Sequence, residues 1–367
     1  MPNRRKFVQT LAASAFASAC GVVKAGEAAM KRPTTNRMPD EAEPHRRTWM
    51  AFGASEEVWG RKLIAEVQRN LAGIARAIAD FEPVTMLVRE EEHEIASELV
   101  GKKVELLVCA IDDLWMRDTG PVFVAQPGGG LAGVDFNFNG WGDKQEHTDD
   151  AQVAEFVTTK AGVTRIATDL VLEGGGIEVD GHGTAIITES CVLNDNRNPG
   201  KSKAQVEAEL KRLLGLDKIL WLPGIKDKDI TDGHTDFYAR FARPGVVVAG
   251  YDPDPQSYDH EVTRKHLDIL RAATDARGRK LDVVTLEAPG TVRERYANDD
   301  FAAGYINFYV CNGAVIAPQF GDAKTDRAAQ SKLAALFPGR KIVALDIDAI
   351  AAGGGGIHCT TQQEPRV

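Results

Sequence analysis

Four short stretches of this chain set acid, base or thiol groups beside glycine at the ends of apolar runs, where loops carry the residues that bind and react. They are Trp115-Met116-Arg117-Asp118-Thr119-Gly120-Pro121, Leu172-Glu173-Gly174-Gly175-Gly176, Asp232-Gly233-His234-Thr235-Asp236, and the closing Gly353-Gly354-Gly355-Gly356-Ile357-His358-Cys359. A cysteine nucleophile needs a histidine base and carboxylate partners, and a Cys and a His far apart in sequence can meet in the fold. Read singly, each stretch also has a purely structural account: a surface Arg-Asp ion pair, a strand end, a turn, and a flexible tail with a stray thiol. Metal chemistry is less well served. His234 and Asp236, two apart on a strand-like segment, face one side, but no third or fourth ligand is evident and no Cys/His cluster is present. The glycine runs lack the spacing and trailing Lys-Ser/Thr of a phosphate loop.

The elements that must position these residues show in the hydrophobic pattern. Residues 56–81 repeat apolar positions at helical spacing, and Ser202-Lys203-Ala204-Gln205 has the form of a capping box opening a helix that ends at Gly215. Further helices are expected at about 259–276 and 325–337. Strand-like runs occupy 84–88, 104–111, 120–125, 218–222, 237–241, 246–251, 281–286, 305–310, 314–318 and 341–347. Strands outnumber helices and come in twos and threes per helix. That predicts an α/β fold of modules with mixed sheets, in one domain, rather than a plain doubly wound sheet.

Composition bounds the rest. The chain has 367 residues, 43% hydrophobic and 26% charged, which is enough apolar material for a large core. A net charge of −9 argues against a nucleic-acid partner and favours cationic small molecules. Residues 1–25 begin with Arg4-Arg5-Lys6-Phe7, continue through a short Ala-rich apolar run and end in Val23-Lys24-Ala25, the anatomy of an export signal of twin-arginine type. The run is too short to stay as a membrane span. Its removal takes away four basic and no acidic residues, leaving −13. Lipidation at Cys20 is not expected, since no large aliphatic residue lies three positions before it. Residues 26–43 read as a polar leader and 44–367 as the working domain, exported and periplasmic, with the cytoplasm as the alternative. Cys109, Cys191 and Cys311 lie in apolar runs and read as core.

In order along the chain, WMRDTGP, FNGWGDK, LEGGGIEVDGHGT, LNDNRNPGKSK, GHTD, YINFYVCNGAVIAPQFGD and GGGGIHCTTQQEP closely resemble the agmatine deiminase / bacterial peptidylarginine deiminase family, from about residue 44 to 365. The resemblance implies the pentein fold, a five-bladed α/β propeller of ββαβ-type modules around a central site, with no metal or organic cofactor. It implies Cys359 as nucleophile, His234 as general acid and base, and Asp118 and Asp236 as the carboxylates that grip a guanidinium. Glu173 would hold His234, and Trp115 would line the substrate channel. A guanidinium is planar, permanently charged and forked, so two carboxylates can fix its central carbon for sulfur attack. The implied course runs through loss of ammonia, a covalent S-alkylthiouronium and hydrolysis to a ureido product.

The implied partner is a small cationic guanidino substrate or an arginine-bearing peptide; a homo-oligomer is left open. Agmatine, giving N-carbamoylputrescine and ammonia on a route to putrescine and other polyamines, is the first expectation. Peptidylarginine is the second, and an exported amine- or peptide-binding protein without catalysis the third. An amide-cleaving thiol hydrolase would need an oxyanion hole rather than paired carboxylates. Agmatine-specific relatives carry Asp-Glu-Asp-Thr-Asn-Gly-His, whereas this chain reads Lys228-Asp229-Ile230-Thr231-Asp232-Gly233-His234. His358 is read as structural, since on an extended strand it would point away from Cys359; His182 is read as a turn residue.

Overall fold

The apolar runs assemble into five small sheets in a computed structural model that describes residues 35–367. Four of the sheets share one plan: an antiparallel hairpin, a helix, and a third strand parallel to the second. Strands β4 (Val122–Ala125), β5 (Leu131–Asp135) and β6 (Thr164–Ala167) form the first such module, with helix Val153–Ala161 crossing over. The next is β7 (Ile177–Val179), β8 (Thr184–Thr188) and β9 (Lys218–Leu222), with helix Lys203–Leu214. Strands β10 (Ala239–Arg243), β11 (Val246–Tyr251) and β12 (Asp282–Glu287) repeat it around helix His260–Ala272. So do β13 (Tyr309–Cys311), β14 (Ala314–Gln319) and β15 (Lys341–Asp346) around helix Ala323–Leu336.

The fifth sheet is built from both ends of the chain. Strand β1 (His45–Ala51) leads through helix Glu56–Ala79 to β2 (Val84–Val88) and on through helix His93–Val100 to β3 (Val104–Val108), all parallel; its hairpin partner is β16 (Thr361–Pro365). The expected five ββαβ-type modules are these five sheets. The middle strands β8 and β14 and strand β2 are buried almost throughout. Helices and neighbouring modules cover both their faces, so they read as continuous apolar runs. Ser202 and Gln205 make the capping box, and Gly215 ends that helix at φ 70°, the left-handed conformation that glycine adopts freely.

Strand β16 escaped the hydrophobic pattern because Thr-Gln-Gln-Glu-Pro contains no large apolar residue, yet all five residues are buried. Polar pairing replaces apolar packing there. Arg117 Nη1 donates to Gln362 Oε1 (2.6 Å) and Gln363 Oε1 (2.9 Å), Gln362 donates to the Pro121 carbonyl, and Trp49 Nε1 donates to Glu364. This pairing ties down the end of the chain, so the glycine run before it is no loose tail. Two of the predicted strands that start late do so after site-bearing segments: 237–241 begins only at Ala239, after a single 3-10 turn Thr235–Phe237, and 305–310 begins only at Tyr309. Residues 37–43, placed by the sequence in a polar leader, are packed. Arg37 bridges to Ala125 and Glu41 is 8% exposed. The export signal of residues 1–25 lies outside the described residues. No helix among the described residues is long and apolar enough to cross a membrane.

Candidate active site

Every module sends a polar residue inward from the segment just before its first strand. Asp118 precedes β4, Glu173 precedes β7, His234 and Asp236 precede β10, Asn307 precedes β13 and Cys359 precedes β16. All six are buried. One structural position, used five times, therefore collects groups from distant parts of the chain. The turns that shorten the two predicted strands are the segments that carry Asp236 and Asn307. His234 and Asp236 thus leave a turn rather than an extended strand, and they find different partners.

The Cys359 Sγ lies 3.3 Å from Asn307 Nδ2 and 3.6 Å from Asp236 Oδ2. Asn307 Oδ1 also accepts the His358 backbone N–H at 2.9 Å, so one amide fixes both the thiol and its loop. The loop lies against aromatic rings. A Cβ on Gly355 would stand 2.1 Å from a Trp115 ring carbon, so only glycine lets the backbone come this close. Burial, then the carboxylates of Asp236 and Asp118, push the Cys359 thiol well above its ordinary range, because both disfavour the anion. Asp236 is oriented from behind. His358 Nδ1 meets its Oδ2 at 2.7 Å, and His358 Nε2 meets Glu41 Oε2 at 2.8 Å. Burial would raise Asp236, but His358, His234 and Arg240 hold it below the usual carboxylate range. Its Oδ1 is buried and has no hydrogen-bond partner among the described residues. His358 is therefore more than structural filling. Its segment turns instead of running extended, so its ring supports the carboxylate beside Cys359.

Asp118 takes a hydrogen bond from Trp141 Nε1 at Oδ2 (3.0 Å) and from the Gly175 backbone N–H at Oδ1 (3.0 Å). Burial, reinforced by Glu173 and Asp236, raises it to about 6 against the pull of His234. Arg117 does not pair with its neighbour. It binds Glu41, Gln362, Gln363 and the His358 carbonyl, and so clamps the nucleophile loop to β16. His234 Nε2 sits 3.0 Å from Glu173 Oε2, and its Nδ1 lies 3.7 Å from Asp118 Oδ2. Burial would lower His234, but Asp118, Cys191 and Glu173 outweigh it and keep the imidazole protonated well above its ordinary range. Such neighbours readily move a histidine across neutral pH. Glu173, Cys191 and His234 bring three ligand-type atoms within 4.8 Å. However, Arg197 already faces both oxygens of Glu173, at 2.7 and 3.5 Å, so that carboxylate's charge is matched within the protein.

A thiol, an imidazole held protonated and two carboxylates, one with a free buried oxygen, make a site for thiol attack on a planar cation. The model of the Porphyromonas-type peptidyl-arginine deiminases matches residues 37–365. The chain belongs to that family. It is 39% identical over 354 residues to an agmatine deiminase of Stutzerimonas stutzeri, covering 89% of this chain and 95% of that protein. It is 36% identical over 361 residues to an agmatine deiminase of Medicago truncatula, covering 90% and 96%. Among solved structures, the agmatine deiminase of Enterococcus faecalis superposes with a TM-score of 0.85 at 34% identity, covering 90% of this chain and 96% of that one.

In this deiminase-family fold the site opens into a cavity of about 620 Å³. Cys359, His234 and Asp118 line it, together with Trp115, Trp141, Ile230, Tyr258 and Phe301. Lys228 is the one lysine or arginine lining it among the described residues, with its ammonium 4.4 Å over the Tyr258 ring, against Asp113, Asp229, Asp252, Asp259, Asp299 and Asp300 on the walls. Sequence reading assigned no role to Asn307, Trp141, Arg197 or Glu41. The first three sit inside the family motifs YINFYVCNG, FNGWGDK and LNDNRNPG, which was the available signal; Glu41 gave none. Cys191 is core by burial, yet its thiol reaches Glu173 at 3.5 Å. Cys109 is only partly buried, just beyond the end of β3, while Cys311 is fully buried; all four described cysteines are free.

Proposed function

We propose that this protein hydrolyses the guanidinium group of agmatine to N-carbamoylputrescine and ammonia. The observation that carries this reading is the paired carboxylates beside Cys359, with Asp236 Oδ1 buried and unpaired among the described residues. A guanidinium supplies the missing donor, and its charge answers both Asp236 and Asp118. An unpartnered carboxylate oxygen in a dry site is costly until such a cation arrives.

Substrate charge also generates the nucleophile. The carboxylates that hold the thiol protonated before substrate binds lose that effect once a cation neutralises them, and the thiol gives its proton to solvent to leave the thiolate. It attacks the guanidinium carbon, forming the C–S bond. His234 gives its proton to the departing nitrogen, the C–N bond breaks, and ammonia leaves. His234, now neutral, takes a proton from water as the water adds to the thiouronium carbon. The C–S bond then breaks as the adduct's hydroxyl gives its remaining proton to solvent, releasing the neutral ureido product and restoring the thiolate. Glu173 holds His234 throughout, and Trp141 and Gly175 hold Asp118.

The acidic walls favour a substrate whose far end is also cationic and disfavour the carboxylate of free arginine. Agmatine meets both conditions, and its product lies on the way to putrescine. Residues 1–25 support export of the mature chain. Ureido and ammonia release should be measured for the purified chain with agmatine, free arginine and a peptide ending in arginine, beside Cys359→Ala. Turnover of agmatine that vanishes in the variant is the expected result; turnover of the peptide or of arginine instead would replace the substrate, and no ureido product from any would remove the activity.

A further inference from the structure

Behind His234 the site continues as a row of alternating charges. His234 Nε2 meets Glu173 Oε2 at 3.0 Å, Arg197 Nε donates to Glu173 Oε1 at 2.7 Å, Arg197 Nη1 donates to Asp232 Oδ2 at 3.0 Å, and Lys144 Nζ reaches the same Asp232 oxygen at 2.9 Å. Asp232, Arg197 and Glu173 are fully buried, while Lys144 is 28% exposed. Lys144 also donates to the Ile230 carbonyl at 3.1 Å, so the cavity wall is tied to the same row. Asp232 has a positive φ, in a backbone region that asparagine and aspartate tolerate better than other side chains. Asn196 Nδ2 and the Asp227 backbone N–H hold its carboxylate there.

We propose that Lys144, Asp232 and Arg197 are positioning residues that fix Glu173 behind His234 and set the pH range over which His234 holds its proton. Resting on the deiminase reading above, this deepens it by accounting for how one histidine serves as acid and then as base. A buried carboxylate with no other partner would compete with the imidazole for the proton. The Arg197 fork removes that competition by keeping Glu173 anionic, and it fixes the carboxylate plane in two directions. Left unmatched, the same guanidinium would drain the field that keeps His234 charged. Asp232 offsets it, and Lys144 partly offsets Asp232 in turn. The other groups facing His234 are Asp118, Asp236 and Cys191. The hydrogen bonds of Asp118 and Asp236 go to Trp141, Gly175, His358 and the Cys359 thiol, outside this row.

The row predicts shifts of opposite sign. Asp232→Asn keeps shape and removes a negative charge, so His234 loses its proton at lower pH. Lys144→Met removes a positive charge, so His234 holds its proton to higher pH. Each shift should be about half a pH unit or more. Two readouts test this on the purified full-length chain: the basic limb of kcat/KM against pH with agmatine, and the NMR titration of the His234 ring without substrate. Arg197→Lys, which keeps the charge but loses the fork, should lower kcat with little change in KM. Opposite shifts of Asp232→Asn and Lys144→Met support the proposal. Coincident titration curves, or shifts of the same sign, overturn it. The NMR arm needs no turnover, so a chain inactive on agmatine would remove the functional reading while still deciding this one.

Discussion

His358 grips one oxygen of Asp236 at 2.7 Å and leaves the other buried with no hydrogen-bond partner among the described residues. The bond selects which face of the carboxylate remains for substrate, and Glu41 fixes the far side of the imidazole at 2.8 Å. Asp236→Asn removes the anion, and kcat/KM for agmatine should drop by about 10³-fold or more. His358→Gln removes only the orientation. KM should rise about tenfold with a smaller change in kcat, as steady-state ureido assays will show.

Cys359 carries the sulfur beside Asp236, so it separates chemistry from binding. Cys359→Ser should lower turnover by about 10⁴-fold or more while agmatine still binds, measured by calorimetry. Loss of binding together with loss of turnover would mean that the thiol itself organises the pocket.

Asp118, raised to about 6, imposes an acid limb. Guanidinium binding needs its anion, so kcat/KM should fall as pH drops through about 6, approaching about tenfold per pH unit below that. Stability runs the other way for this group. Because its folded value lies above the unfolded one, its contribution is fully present below the unfolded value and is lost as pH rises through about 6. Removing the Trp141 donor, as in Trp141→Phe, should move the acid limb to higher pH.

Gly355 stands where a Cβ would meet the Trp115 ring at 2.1 Å. Gly355→Ala must push the nucleophile loop or the ring aside. A stability loss of about 1–3 kcal/mol by thermal unfolding is expected, with kcat/KM down by more than about tenfold because Cys359 moves with the loop.

Much of the fold was legible where local pattern and tertiary environment agree. The parallel strands β2, β9, β11, β12, β14 and β15 read as apolar runs, and the capped helix Lys203–Leu214 was visible in its ends. Strand β16 was not, since its polar residues are satisfied by Arg117 and Trp49, which lie far earlier in the chain. Phe237 and residues 305–308 were read as strand because they are mostly apolar, yet they belong to the segments that carry Asp236 and Asn307.

Residue types alone determined the reacting set: a thiol, an imidazole and carboxylates in glycine-rich stretches, which define what chemistry is available whatever the fold. Tertiary structure decided which of them act and how. It set Asn307 against Cys359, put His358 and Glu41 behind Asp236, and ran Arg197 and Asp232 behind Glu173. Those contacts join modules far apart in the chain, and the pKa shifts follow from burial and neighbouring charge. Both are long-range properties that no local stretch of sequence encodes.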